Sequence, residues 1–90
     1  MVFCRQLSVV QLSTKYQIWI MYNIKIRFGN RIRELRLLKG VSQEKLAELA
    51  DLDRTYITGI EKGKRNISIT VMEKLSLAFG ISLSDLLRKL

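Results

Sequence analysis

The strongest constraint on how this chain folds is the punctuation of residues 28–90. Most of the short segments open on a residue that caps a helix or close on one that tolerates a left-handed backbone. Phe28, Ile32 and Leu35 follow helical spacing as far as Lys39, where Gly40 supplies a stop. Ser42 opens a second segment with Glu44 in its first turn. Leu46, Ala47 and Ala50 form its apolar face, and Asp51, Leu52 and Asp53 make the turn that follows. Asp53 caps a third segment, in which Ile57 and Ile60 face inward and Gly63 ends the run. Gly59 lies inside that segment at a cost of about 1 kcal/mol relative to alanine, so its small size points to a close approach. A cap at Ser68, or a capping box from Thr70 to Glu73, opens a fourth segment with Ile69, Met72, Leu75 and Phe79 buried before Gly80. Ser82, followed by Asp85, opens the last, which carries Leu83, Leu86, Leu87 and Leu90. Five short helices joined by tight turns account for the whole region.

Composition narrows the function classes. Ninety residues support one small core, and the absence of proline suits helices. The formal charge of +8 points to a polyanionic partner, nucleic acid or an acidic membrane surface. There is no histidine, which removes the commonest general base and zinc ligand. Cys4 is the single cysteine, so no intrachain disulfide forms, as suits a reducing cytoplasm. Ser42 with Lys45 is better explained as a helix cap than as a nucleophile and its base. The expectation is a cytoplasmic protein that is not an enzyme and takes no metal or other cofactor.

Residues 1–27 read differently from the rest, for they hold Arg5, Lys15, Lys25 and Arg27 but no acid. Ile18, Ile20, Ile24 and Ile26 mark a broken alternation that predicts a short extended appendage. The expected division is an N-terminal extension, 1–27, and a domain, 28–90. The apolar run at residues 18–22 is too short to cross a bilayer, and Arg5, Gln6 and Gln11 break the run before it. Neither a signal peptide nor a membrane anchor is expected. Three readings of the extension stay open: an apolar flap over the domain, a surface around Trp19 for a partner or membrane, and an upstream stretch before a natural start at Met21.

RIRELRLLKGV, SQEKLAELADLDRTYITGIEKGKRNIS and ITVMEKLSLAFGISLSDLL together resemble the Cro/CI-type, Xre-like helix-turn-helix family. The resemblance spans residues 28–90 and rests on several positions at once: Gln43 at the head of the second helix, small Ala47 at the crossing, and Ile57 and Ile60 beyond it. DRTYITGIEKGKRNIS is similar to the controller proteins of restriction-modification systems. Asp51 departs from the pattern, since the family usually has glycine there, but aspartate tolerates the left-handed conformation.

The resemblance implies an all-α, five-helix, lambda-repressor-like domain that binds a double-stranded DNA operator as a homodimer and regulates transcription. Arg54, Thr55, Thr58 and Tyr56 match the base-reading surface. Gln43 matches a residue that touches the DNA backbone and braces the reading helix. Lys62, Lys64, Arg65 and Asn66 match a phosphate-holding turn, and Arg36 with Glu61 matches a structural salt bridge. The chemistry is consistent, since arginine bonds guanine through two parallel hydrogen bonds and threonine offers a hydroxyl or a methyl. Plainer readings stand beside these: solvent-facing threonines, a Tyr56 packed on the second helix, a solvated charge run at 62–65, and a Gln43 that only caps free amides. The leucine-rich end predicts a dimer seam of Phe79, Leu83, Leu87 and Leu90, as against ordinary core. Two alternatives of other classes are an antitoxin-like interaction module and the DNA-targeting piece of a larger enzyme.

Overall fold

The structure, a computed structural model, describes residues 23–88 and 90. Cys4, Trp19, Met21 and the strand, flap and start-site readings for residues 1–22 lie outside them. Five α-helices follow in order: α1, Ile24–Lys39; α2, Gln43–Ala50; α3, Arg54–Glu61; α4, Ile69–Phe79; and α5, Leu83–Leu86. No strand occurs among the described residues.

The expected starts and stops largely hold. Gly40 and Gly80 end α1 and α4 with φ of 76° and 69°. Ser42, Ser68 and Ser82 each accept a backbone amide of the first turn, from Lys45, Val71 and Asp85 respectively. Ser68 rather than the Thr70–Glu73 box therefore caps α4. Asp51 ends α2 in the left-handed region with φ 56°, the one non-glycine residue with positive φ among those described. The Leu52 amide donates to the Ala47 carbonyl at 2.8 Å, closing the turn.

Three expectations are corrected. α1 begins at Ile24 rather than Phe28, so Ile24 and Ile26 are helical and not extended. Asn23 caps this start by accepting the Lys25 amide, and Ile26 packs against Gly63. A Cβ at Gly63 would lie 2.7 Å from the Ile26 side chain. Tertiary packing here outweighs the strand preference of β-branched residues. Asp53 stands at the N-cap of α3 but makes no capping bond to it, because its carboxylate accepts the Thr55 hydroxyl at 2.5 Å. Ile69, expected in the core, is 70% exposed. It lies six residues before the buried Leu75, about 240° around the helix, and so faces away.

Phe28, Ile32, Leu46, Ala47, Ala50, Ile57, Ile60, Leu75 and Leu86 form the buried core. Ile57 and Ile60 seal the inner face of α3 against α1 and α2. The closest approach is at Gly29, where a Cβ would sit 2.2 Å from the Ile60 carbonyl oxygen. Only glycine lets the α1 and α3 backbones meet there.

Candidate nucleic-acid interface

The polar back of α3 is tied into one network. Glu61 accepts Arg36 Nε at 2.7 Å on one oxygen and Arg36 Nη2 at 3.1 Å on the other. Arg36 Nη1 donates to the Val41 carbonyl at 3.0 Å, so the guanidinium is also anchored at the α1–α2 turn. Gln43 Nε2 donates to Glu61 at 3.0 Å, and Gln43 Oε1 accepts the Thr58 hydroxyl at 2.9 Å. The Arg36 and Glu61 side chains are 13% and 5% exposed. A buried pair removed from water is tolerated when further hydrogen bonds complete its shell, as they do here. The network fixes α3 in rotation and tilt against α1 and α2.

Free or lightly held side chains lie instead along the N-terminal half of α3 and in the loop that follows it. Arg54, in the first turn of α3, is exposed and has no side-chain partner among the described residues. Thr55 is exposed beside it, its hydroxyl held by Asp53. Thr58 is half-buried, with its one hydroxyl hydrogen directed to Gln43 or, at 3.1 Å, to the Arg54 carbonyl. Its hydroxyl oxygen as an acceptor and its methyl are therefore the parts left for a ligand. Tyr56 is half-buried, and the Arg65 guanidinium lies 4.8 Å above its ring centroid, a cation–π pair.

Gly59 permits this stacking, since the Arg65 side chain passes where a Cβ would come within 3.0 Å. The close approach expected of Gly59 is thus to Arg65 rather than to another helix. Lys62, Lys64 and Asn66 are exposed on the loop after α3. That loop turns tightly at Gly63, with the Lys64 amide donating to the Gly59 carbonyl at 3.0 Å.

The four leucine-end residues do not share one face. Phe79 packs against the core, and Leu83 lies with Ile69, Leu77 and Ile81 along a shallow surface cleft. Leu87 and Leu90 line a different groove, with Ile24, Phe28 and Met72. Sequence reasoning also missed Gly29 and Arg31. A glycine in a helix interior was the available signal for Gly29, as it was for Gly59. Nothing local signals Arg31, whose guanidinium reaches two carbonyls at the far end of the chain.

A short helix with a sealed inner face, set against a preceding helix and followed by a basic turn, defines a helix-turn-helix protein. Residues 32–86 match the Helix-turn-helix family HTH_3, and the chain belongs to it. Among proteins of that kind it is similar to Control protein C.MunI of a Mycoplasma species, at 54% identity over 67 residues covering 73% of this chain and 90% of that protein. It is 52% identical to Control protein C.BamHI of Bacillus amyloliquefaciens, over 72% of this chain and 82% of that protein. Its structure is similar to that of the restriction-modification controller protein C.AhdI of Aeromonas hydrophila, with a TM-score of 0.67 and 48% identity, covering 69% of this chain and 90% of that one. The lambda-repressor-like, all-α fold and the controller-protein resemblance both hold. No helix among the described residues is long and apolar enough to cross a membrane.

Proposed function

We propose that the chain is a transcription regulator that binds double-stranded DNA sequence-specifically, as a homodimer on a pseudo-palindromic operator. The observation that carries this reading is the asymmetry of α3. Its inner and back surfaces are saturated by core contacts and the Gln43–Thr58–Glu61–Arg36 network, while Arg54 at its N-terminal end is left exposed and unpartnered. A helix so held can enter a major groove without rolling, and a free guanidinium at its leading end is suited to guanine O6 and N7. Thr58 offers its methyl to a thymine. The second N–H of Gln43 and the side chains of Lys62, Lys64 and Asn66 hold phosphates. Arg65, stacked on Tyr56, brings both to the edge of the groove.

The homodimer seam is better placed on Ile69, Leu77, Ile81 and Leu83 than on Leu87 and Leu90. Ile69 and Leu77 are 70% and 73% exposed and lie eight residues apart, about 80° around the helix, so they share a face. Apolar side chains exposed in register mark an interaction surface. A two-fold there sets two α3 helices in successive major grooves, about 34 Å apart. The relatives named control proteins, with the structural neighbour named a restriction-modification controller protein, support a role in controlling a restriction-modification system.

Selection of binding sites from a random duplex pool tests the reading. The expected product is a palindromic site with half-sites one helical turn apart. Recovery of no enriched sequence would falsify base readout.

A further inference from the structure

We propose that Arg31 is a specificity-determining positioning residue, which sets the half-site spacing the dimer accepts by holding α5 against α1. This rests on the homodimer reading above. α5 is a single turn of four residues, too short to be stable by itself, and its Asp85 carbonyl is held from the chain beyond only by backbone amides such as that of Arg88 at 3.2 Å. Arg31 adds side-chain bonds at this end. Its Nη2 donates to the Asp85 carbonyl at 2.7 Å and its Nε to the Leu86 carbonyl at 3.2 Å, so one planar fork grips the C-terminal end of α5. A cation is favoured there by the partial negative charge of a helix C-terminus. The remaining nitrogen, Nη1, is held by Glu34 at 3.3 Å, and the Arg31 side chain is only 14% exposed, which fixes the direction of the fork.

The proposed seam draws Ile69 and Leu77 from α4 but Leu83 from α5, with Ile81 in the turn between. Its shape therefore depends on the angle between those two elements. Arg31, which does not line that cleft, controls the angle.

The same helix α1 carries Arg36, which pins α3 through Glu61. α1 thus acts as a strut: one arginine fastens the reading helix to it and another fastens part of the dimer seam. The distance from reading helix to two-fold axis is set along this strut, and twice that distance is the spacing between half-sites. Arg31 touches neither DNA nor the partner copy in this scheme. It acts on specificity through geometry alone.

The test uses the full chain and three duplexes: the selected operator, the same operator with one base pair inserted between half-sites, and a single half-site. Wild-type protein is expected to bind the inserted operator several-fold more weakly than the selected one. Arg31→Ala is expected to lose most of that discrimination while keeping its affinity for the half-site, and Arg31→Lys, which keeps a cation but loses the fork, to fall between. Retained spacing discrimination in Arg31→Ala overturns the proposal. So does a parallel loss on all three duplexes, which marks a merely structural residue.

If Arg31→Ala does not fold, by its thermal midpoint, Arg31→Lys decides on the same criteria. A wild-type protein that sediments as a monomer on the selected operator overturns the dimer reading itself, a result distinct from a dimer indifferent to Arg31.

Discussion

The back of α3 and its leading end are a few residues apart in one helix, yet they are built on opposite principles. At the back, Glu61, Arg36, Gln43 and Thr58 satisfy one another, and the ion pair at their centre is nearly excluded from water. At the leading end and in the following loop, Arg54, Lys62, Lys64 and Asn66 are exposed, and Arg54 has nothing to bond to among the described residues. The difference assigns tasks. A group that must keep a helix in one orientation gains from full satisfaction, because each unmade bond in a buried network is costly. A group that must bond to a base has to be left free, or its internal partner competes with the ligand.

The largest effect is expected where the sealed side is opened. Glu61→Ala strands the Arg36 guanidinium and leaves Gln43 Nε2 without its acceptor, and breaking a buried pair from one side typically costs about 3–5 kcal/mol. Chemical denaturation should show a loss of that order, a large share of the stability of so small a domain. An unchanged denaturation midpoint would mean that the network is ornamental and that the brace and the leading end of α3 do not differ as argued. Arg54→Ala should do the reverse. Folding stability should stay within experimental error, while affinity for the selected operator falls by about 1–3 kcal/mol and affinity for unrelated DNA barely changes. Competition binding against both duplexes separates these outcomes.

The two sides were not equally legible. Arg36, Glu61 and Gln43 could be placed in a brace because the motif puts them at matching positions, but their closure through Thr58 could not. A hydroxyl's partner depends on a rotamer chosen by tertiary neighbours. Position alone places Thr58 with the readers, while the structure turns its hydrogen to Gln43 or to the Arg54 carbonyl. Tyr56 matches the base-reading surface by position, but its stacking is not legible, since its partner Arg65 comes from a loop folded back over Gly59.

Helix boundaries set by local chemistry, such as Ser42, Gly40, Gly80 and Ser82, were readable. The start of α1 was not, because Ile24 and Ile26 have strand preferences, which the Asn23 cap and the Gly63 contact override. The burial of Ile69 depends on a register that its own spacing does not fix. Once Ser68 opens α4 and Leu75 points in, Ile69 must face solvent.

A smaller change sharpens the comparison from the turn that joins α2 to α3. Asp51 occupies a left-handed conformation that glycine adopts without penalty, and its side chain is almost fully exposed. Asp51→Gly should relieve at most about 1 kcal/mol of backbone strain and raise the thermal midpoint modestly. Operator selectivity should not move, because nothing on the reading surface changes. A shift in selectivity would show that the turn, and not the Glu61 network alone, sets the pose of α3.

The smallest effect belongs to Lys64, and it distinguishes two ways of being exposed. Arg54 and Lys64 are both exposed, but Arg54 lies in the first turn of α3 and Lys64 in the loop beyond its other end. If the loop holds phosphates, Lys64→Ala removes one counterion-releasing contact and lowers the salt slope of binding by about 1. The loss should be similar on the selected operator and on unrelated duplex, since a phosphate carries no sequence information. Binding isotherms at several salt concentrations on both duplexes give slope and selectivity together. A lowered slope with selectivity unchanged places Lys64 on the backbone, whereas a loss confined to the selected operator would move it into the reading surface and erase the division between helix end and loop.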